Sequence, residues 1–353
     1  MKEPLVISLD AMGGDGAPLI VVKGAALARA RLPRAKFLFY GDEAKLKPLV
    51  EAEPTLRDCA TVRHTDVVVA GTDKPSVALR TGKKSSMRLA IDAVRDGEAH
   101  CVVSAGNTGA LMAMSMFSLR TLEGIDRPAI ISIFPTERGQ TCMLDLGANV
   151  ECDAENLLQF AVMGEVFART VMNVQNPTVA LLNVGTEEGK GKDEVKLAAT
   201  MLRDTDLPIV FKGFVEGDDI GKGTVDVVVT DGYTGNVALK TAEGTSKLIT
   251  SFMRQAFKKD ILAKLGYLFS KRAINNLRVR VDPRLYNGAV FLGLNGIAVK
   301  SHGGTDEIGF ANAIGVAADM AQNDFIAKMR DDIERMHASN GDEEAKQTAE
   351  TTR

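Results

Sequence analysis

The stretch Leu5–Pro18, LVISLDAMGGDGAP, decides the fold. A strand-length apolar run passes directly into a polar turn carrying three glycines, and a helical pattern follows. Apolar residues at successive positions suit a strand covered on both faces. In parallel sheets such an exit lies at the carboxyl end of the strand, where ligands bind. The same device recurs at SAGNTGA (Ser104–Ala110), DLGANVECDAEN (Asp145–Asn156), NVGTEEGKGKDE (Asn183–Glu194), TDGYTGN (Thr230–Asn236) and KSHGGTDE (Lys300–Glu307). Glycines permit close backbone approach, and the helix starts behind them offer free N–H groups to anions. Six such turns predict one polar cleft for a phosphate-like group, with all six on one edge of the sheet.

Outward from these turns, strand-length runs alternate with helix-like stretches. Strands are expected at Leu5–Leu9, Phe37–Tyr40, Thr61–Val69, Cys101–Ser104, Ala129–Phe134, Thr141–Leu144, Thr178–Val184, Ile209–Phe211, Asp226–Thr230 and Gly296–Lys300. This is an α/β pattern with parallel-rich sheets and helices on both faces. A length of 353 residues suggests two domains. The division expected is residues 1–100 plus 289–339 for the first and 101–288 for the second, with a disordered polar tail over 340–353. No internal repeat is present.

Several classes are excluded or disfavoured. No apolar run approaches the ~18 residues of a membrane-spanning helix, and MKEPLVISLD lacks the pattern of a signal peptide. Cys59, Cys101, Cys142 and Cys152 have no CxxC spacing, so reduced, mostly buried thiols in a cytoplasmic protein are expected. The net charge of −3 hides a basic segment: Arg254–Arg284 holds nine Lys/Arg against two Asp, leaving the remainder acidic. That is not the charge pattern of a nucleic-acid binder. No GxGxxG follows the first strand, and no GxxxxGK[ST] or GxSxG occurs anywhere. A phosphate-suited cleft without a nucleotide signature or an obvious protein nucleophile leaves phosphate itself as the attacking group.

Read together, DAMGGD (Asp10–Asp15), SAGNTGALM (Ser104–Met112), DLGANV (Asp145–Val150), NVGTEEGKG (Asn183–Gly191), DVVVTDGYTGNVALKTAEG (Asp226–Gly244) and SHGGTD (Ser301–Asp306) strongly resemble the bacterial phosphate acyltransferase family. These are the acyl-ACP:phosphate transacylases of phospholipid synthesis. The resemblance spans roughly Leu5 to Ile333. It implies a fold like that of phosphotransacetylases and isocitrate/isopropylmalate dehydrogenases, usually dimeric, and no cofactor or metal. The implied reaction joins the acyl group of a long-chain acyl-ACP to inorganic phosphate and frees the carrier. A thiolate leaves readily at its solution pKa of ~8.5, so positioning the two reactants can supply most of the acceleration, with donors to the oxyanion adding to it. Direct transfer without an acyl-enzyme is expected. A CoA-dependent phosphotransacetylase and a metal- and NAD-dependent dehydrogenase are enzyme alternatives. The second should carry DxxxD at the cleft, and the sole DxxxD here is Asp92–Asp96, at a helix end. A membrane-surface scaffold is the non-enzymatic alternative.

Lys190, Asn236 and His302 are the catalytic candidates. Lys190 lies between two glycines, where it would bind phosphate or the oxyanion; Lys192 is the fallback, and a solvated loop lysine the ordinary alternative. Asn236 would donate to a carbonyl or phosphate, or simply cap its helix. Glu187 or Glu188 would orient Lys190 or act as a base. His302 is the sole histidine in a Gly-rich exit. Ser104, Asn107 and Thr108, with the amides of Gly106 and Gly109, suit an anion nest, or a capping turn. Asp10 and Asp15 shape the cleft around Gly13 and Gly14, and Gly185, Thr234 and Gly235 complete the phosphate set. Lys74, Lys83 and Lys84 read first as solvated surface, with an extended positive field for phosphate or carrier as the alternative.

In the basic segment 252–285, Phe257, Ile261, Leu265 and Leu268 recur at helical spacing among Lys258, Lys259, Lys264 and Lys271. One amphipathic basic helix is expected, serving a homodimer interface, an anionic membrane surface or the acidic carrier protein. Peripheral membrane contact would bring the product to a downstream membrane acyltransferase.

Overall fold

The computed structural model describes residues 4–205, 207 and 209–336, so the tail expected over 340–353 lies outside the described residues. Its strands are β1 (Val6–Asp10), β2 (Lys36–Gly41), β3 (Ala60–His64), β4 (Cys101–Ser104), β5 (Ala129–Pro135), β6 (Gln140–Leu144), β7 (Thr178–Leu182), β8 (Val210–Val215), β9 (Val227–Val229), β10 (Ala289–Leu292) and β11 (Ile297–Lys300). Its helices are α1 (Leu19–Arg31), α2 (Glu43–Ala52), α3 (Pro75–Thr81), α4 (Ser86–Arg95), α5 (Thr108–Leu119), α6 (Ala154–Thr170), α7 (Asp193–Asp204), α8 (Gly217–Lys222), α9 (Gly232–Lys258), α10 (Ile261–Arg280) and α11 (Glu307–Gln322). Residues 325–336 are also helical.

All the strands join one sheet, ordered β3-β2-β1-β4-β11-β10-β5-β6-β9-β7-β8. Pairing is parallel from β3 to β11 and from β6 to β8. Between the two groups, β10 and β5 make three successive antiparallel pairings. The sequence predicted the mostly parallel α/β class, and the sheet has it. Strand pairing places β4 between β1 and β11, with the first parallel group.

The buried strands work as their sequences imply. Ile7 and Leu9 of β1 pack with Phe37 and Phe39 of β2 against α1 and α11. Val102 of β4 faces the opposite layer, with Met87 and Ile91 of α4 and Leu111 of α5. Val227 and Val229 of β9 join the α6 side, while Val228 points the other way. Each such side chain, fully buried, contributes on the order of 1.5–3 kcal/mol. Two expectations change. β10 was not among the predicted strands; its four apolar residues are bounded by Gly288 and Gly293, both at positive φ, which turn the chain sharply into and out of the strand. The strand expected over Thr61–Val69 stops at His64.

Strand direction also corrects the single-edge reading. β11 and β6 are related through three antiparallel steps, so they run in opposite directions. The exits of β1, β4 and β11 therefore lie at one edge, and those of β6, β7 and β9 at the other. The expected single basic helix is likewise two helices. Asp260 adopts an extended backbone between α9 and α10, and its carboxylate accepts from the Ala263 amide as an N-cap. Phe257 consequently ends α9, whereas Ile261, Lys264, Leu265 and Leu268 begin α10.

Candidate active site

At the first edge, the exits of β1, β4 and β11 close on one another through backbone contacts that only small residues allow. A Cβ on Gly13 would stand 2.7 Å from the Gly106 nitrogen, and one on Gly14, whose φ is +100°, 2.8 Å from the Ala105 Cβ. The Asp15 amide donates to the Gly303 carbonyl at 2.9 Å, and the Ser301 amide to the Ser104 carbonyl at 2.9 Å. Asp10 lies beneath them, fully buried. Ser86 and Ser104 each donate a hydroxyl to its carboxylate at 2.6 Å, and the Ser104 Oγ accepts from the Gly106 amide at 3.0 Å. Burial pushes the Asp10 carboxyl upward, opposed by the two hydroxyls and the Met12 amide.

Lys300, the last residue of β11, is only 9% exposed. Its Nζ donates to the Ala105 carbonyl at 3.5 Å and to the Ser301 carbonyl. Burial pushes its pKa down to about 8, opposed by the charges of Asp10 and Asp15 and aided by Lys240 of α9. Lys240 thus links α9 electrostatically to this cluster.

The neighbouring candidates make local hydrogen bonds of their own. Asn107 is the N-cap of α5, accepting from the Ala110 amide at 2.9 Å, and its Nδ2 donates to the Gly71 and Asp73 carbonyls. Its amide is thus committed to capping and to the loop before α3. Thr108 is exposed, and Gly109 lies against the Pro75 ring. His302 is exposed; its amide donates to Asn287 Oδ1 at 2.9 Å, and its Nδ1 accepts from the Gly304 amide at 3.1 Å. It closes a turn. Lys74, Lys83 and Lys84 are exposed, in agreement with the solvated reading.

At the second edge the organiser is Asp145. Its Oδ1 accepts from the amides of Ile130, Gly147 and Ala148, and its Oδ2 from the amide and Nδ2 of Asn149. Burial pushes this carboxyl up, and those N–H groups oppose the shift. The first turn of α9 rests directly on this loop. A Cβ on Gly235 would stand 1.9 Å from the Asp145 carbonyl oxygen, and the Gly232 amide donates to the Asn149 carbonyl at 2.7 Å. Asp231, not Asn236, caps α9, accepting from the Thr234 amide at 2.7 Å. Asn236 is exposed beside Gly147, so its own amide is not spent on the helix start.

The loop after β7 completes this cluster. Lys190 pairs with Glu187 at 2.7 Å, both more than half exposed, and the two side chains fold over Gly185. That pairing raises the Lys190 pKa and lowers that of Glu187. Glu188 turns away to Arg203 at 3.0 Å. Lys192, the fallback, reaches Asp231 at 2.9 Å and so joins this loop to α9.

Sequence reasoning passed over Lys300, Asp145, Asn149 and Ser86 as site residues. A lysine or aspartate directly continuing an apolar strand was the available signal for the first two. The chain after α10 is pinned to the first cluster: Arg284 pairs with Asp306, the N-cap of α11, at 2.9 Å, and Asn287 Nδ2 donates to Ser301 Oγ at 2.8 Å. The α9–α10 hairpin therefore starts at one cluster and ends at the other.

A mostly parallel three-layer sheet with Gly-rich strand exits gathered into two compact clusters defines an α/β protein of the phosphotransacetylase fold. The EutD phosphotransacetylase from Staphylococcus aureus superposes with a TM-score of 0.58 at 16% identity, covering 90% of this chain and 94% of its own. A phosphotransacetylase from Streptococcus pyogenes does so with a TM-score of 0.59 at 15% identity, covering 90% and 94%. The family is given by sequence. The model of the family described as "fatty acid synthesis protein" matches residues 5–328. The phosphate acyltransferase of Rhodospirillum centenum is 62% identical over 339 residues, covering 96% of each chain. That of Rhodospirillum rubrum is 58% identical over 336 residues, covering 95% of this chain and 96% of its own. The chain belongs to this phosphate acyltransferase family, a family of transferases, as the motifs implied.

Proposed function

We propose that the protein transfers the acyl group of a long-chain acyl-ACP to inorganic phosphate, by direct attack of phosphate on the thioester. The observation that carries this reading is the first cluster, where three Gly-rich turns surround a buried lysine whose Nζ, among the described residues, donates to carbonyl oxygens and forms no ion pair. The relatives' name, phosphate acyltransferase, supports the same reaction class. Direct attack is favoured by the state of the thiols. Burial pushes Cys101 and Cys152 up to about 12 and Cys142 upward as well, so none is a thiolate nucleophile at neutral pH. Phosphate-dependent release of free thiol from acyl-ACP, with the product trapped by hydroxylamine, tests the reaction. Absence of phosphate-dependent release refutes it, a covalently acylated protein in the mass spectrum refutes the direct route, and equal use of acyl-CoA refutes carrier specificity. Lys190, oriented by Glu187, and the exposed Asn236 are assigned to the acyl-donor side of the reaction. The two parallel strand groups are assigned as the lobes of the cleft.

The hairpin is assigned to homodimer formation along its length and to an anionic membrane surface at its tip. Ile261, Leu262, Leu268 and Phe269 are 63–86% exposed, with Lys258, Lys259 and Lys264 exposed beside them. Phe257 instead packs on Tyr267 across the hairpin, ring centroids 5.5 Å apart. No helix among the described residues is long and apolar enough to cross a membrane. Each lysine near an anionic surface contributes about 1 kcal/mol, so reversing the charge of Lys258, Lys259 and Lys264 should abolish co-sedimentation with anionic vesicles. Unchanged sedimentation removes the membrane assignment.

A further inference from the structure

Lys300 is an unusual group to find where it lies. A buried ammonium costs several kcal/mol in a folded protein unless a counter-charge and hydrogen bonds compensate it. Among the described residues Lys300 has no carboxylate within ion-pair distance, and its Nζ donates only to the carbonyls of Ala105 and Ser301. The buried carboxylate whose charge bears on it, Asp10, already accepts from Ser86, Ser104 and the Met12 amide. An ammonium has three hydrogens, so one N–H of Lys300 has no acceptor among the described residues. The two carbonyls that hold it belong to the β4 and β11 exits, the same turns that, with the β1 exit, bring Gly13, Gly14 and Gly106 into backbone contact. The fold therefore maintains an incompletely neutralised cation under three glycine turns. A small anion is the ligand that completes it.

We propose that Lys300 is the residue that holds inorganic phosphate, its free N–H and positive charge facing an anion seated among the β1, β4 and β11 exits. The assignment rests on the phosphate-transfer reading only for the identity of the anion. It places phosphate at the first cluster, and leaves Lys190 and Asn236 at the second for the acyl donor. It also makes phosphate binding proton-linked. The charged groups bearing on Lys300 are Asp10 of β1, Asp15 of the following turn and Lys240 of α9; His302 is exposed two residues further along. With a pKa of about 8, Lys300 is largely neutral at pH 8.5, and a bound dianion should recharge it.

The test is calorimetric titration of the full chain with inorganic phosphate at pH 8.5, in two buffers of different ionisation enthalpy. Wild-type protein should take up a large fraction of one proton per phosphate bound; no uptake, or release, overturns the proposal without any mutation. Lys300→Met keeps the apolar stem and removes the charge, and should weaken phosphate binding by roughly tenfold to a hundredfold, the value of a hydrogen bond to a charged group. Lys300→Arg remains charged at pH 8.5 and should bind phosphate with no proton uptake. Unchanged affinity in folded Lys300→Met overturns the assignment, as does unchanged phosphate dependence of thiol release in that variant. Proton-linked phosphate binding without any thiol release supports the assignment and refutes acyl transfer.

Discussion

Replacing Lys300 by methionine should change the stability of the protein in a way that depends on pH, and the size follows from its burial. The folded chain lowers the lysine pKa from 10.5 to about 8, so it binds this proton more weakly than the unfolded chain does. At neutral pH the charged form therefore costs about 3 kcal/mol, at ~1.4 kcal/mol per tenfold change in proton affinity. The cost is full below pH 8, shrinks between pH 8 and 10.5, and is absent above. Methionine removes the whole pH-dependent part. The lost bonds to Ala105 and Ser301 add a separate destabilisation that does not vary with pH. Wild type should accordingly gain about 3 kcal/mol relative to Lys300→Met between pH 7 and pH 10.5, most of it above pH 8. Urea unfolding followed by far-ultraviolet circular dichroism at several pH values in phosphate-free buffer measures this. A stability difference that stays constant across the range, or that grows in favour of the variant as pH rises, refutes the claim that an uncompensated lysine is buried there.

The second cluster makes two further demands. Gly235→Ala should fold poorly or not at all, because its Cβ would stand 1.9 Å from the Asp145 carbonyl oxygen and overpacking relieved by backbone movement costs about 1–3 kcal/mol or more; Gly244→Ala, with open space around it in the same helix, should stabilise by about 0.5–1 kcal/mol, and thermal melts of the pair read the contrast. Asp145→Asn should destabilise by at least about 2 kcal/mol, since an amide cannot accept from all five N–H groups now donated to the carboxylate; an unchanged melting midpoint refutes its organising role.

The sequence patterns that were legible are those fixed by local chemistry. VVV at Val227–Val229 and CVVS at Cys101–Ser104 read as doubly covered strands because each residue meets one layer or the other. Polar turns at their ends were equally visible. The direction of the second parallel group was not, because it is set by the antiparallel pairings of β10 and β5, and pairing partners far apart in sequence leave no local trace. β10 itself is four apolar residues between two glycines. Residue type also left open which polar side chains have a local structural partner. Asn107 caps α5 and the His302 ring accepts from the Gly304 amide, whereas Asp231 takes the α9 cap and leaves the Asn236 amide uncommitted to it. Lys300 escaped notice because a charge at the end of an apolar run reads as the end of burial, whereas here the strand carries it inside.

The hairpin ties the two clusters together despite opposite strand directions. α9 leaves the second cluster at Asp231, whose carboxylate also holds Lys192 of the β7 exit. Its 27 residues span about 40 Å, and Lys240, two turns in, already bears on Lys300. The returning chain after α10 is then fixed to the first cluster by Arg284 with Asp306, and by Asn287 with Ser301. Among the described residues, only Gly232 and Gly235 of α9 and Ile274 of α10 are fully buried, while Ala238 and Leu239 pack partly on the core. The two clusters are thus joined through one hairpin whose exposed surface is apolar and basic.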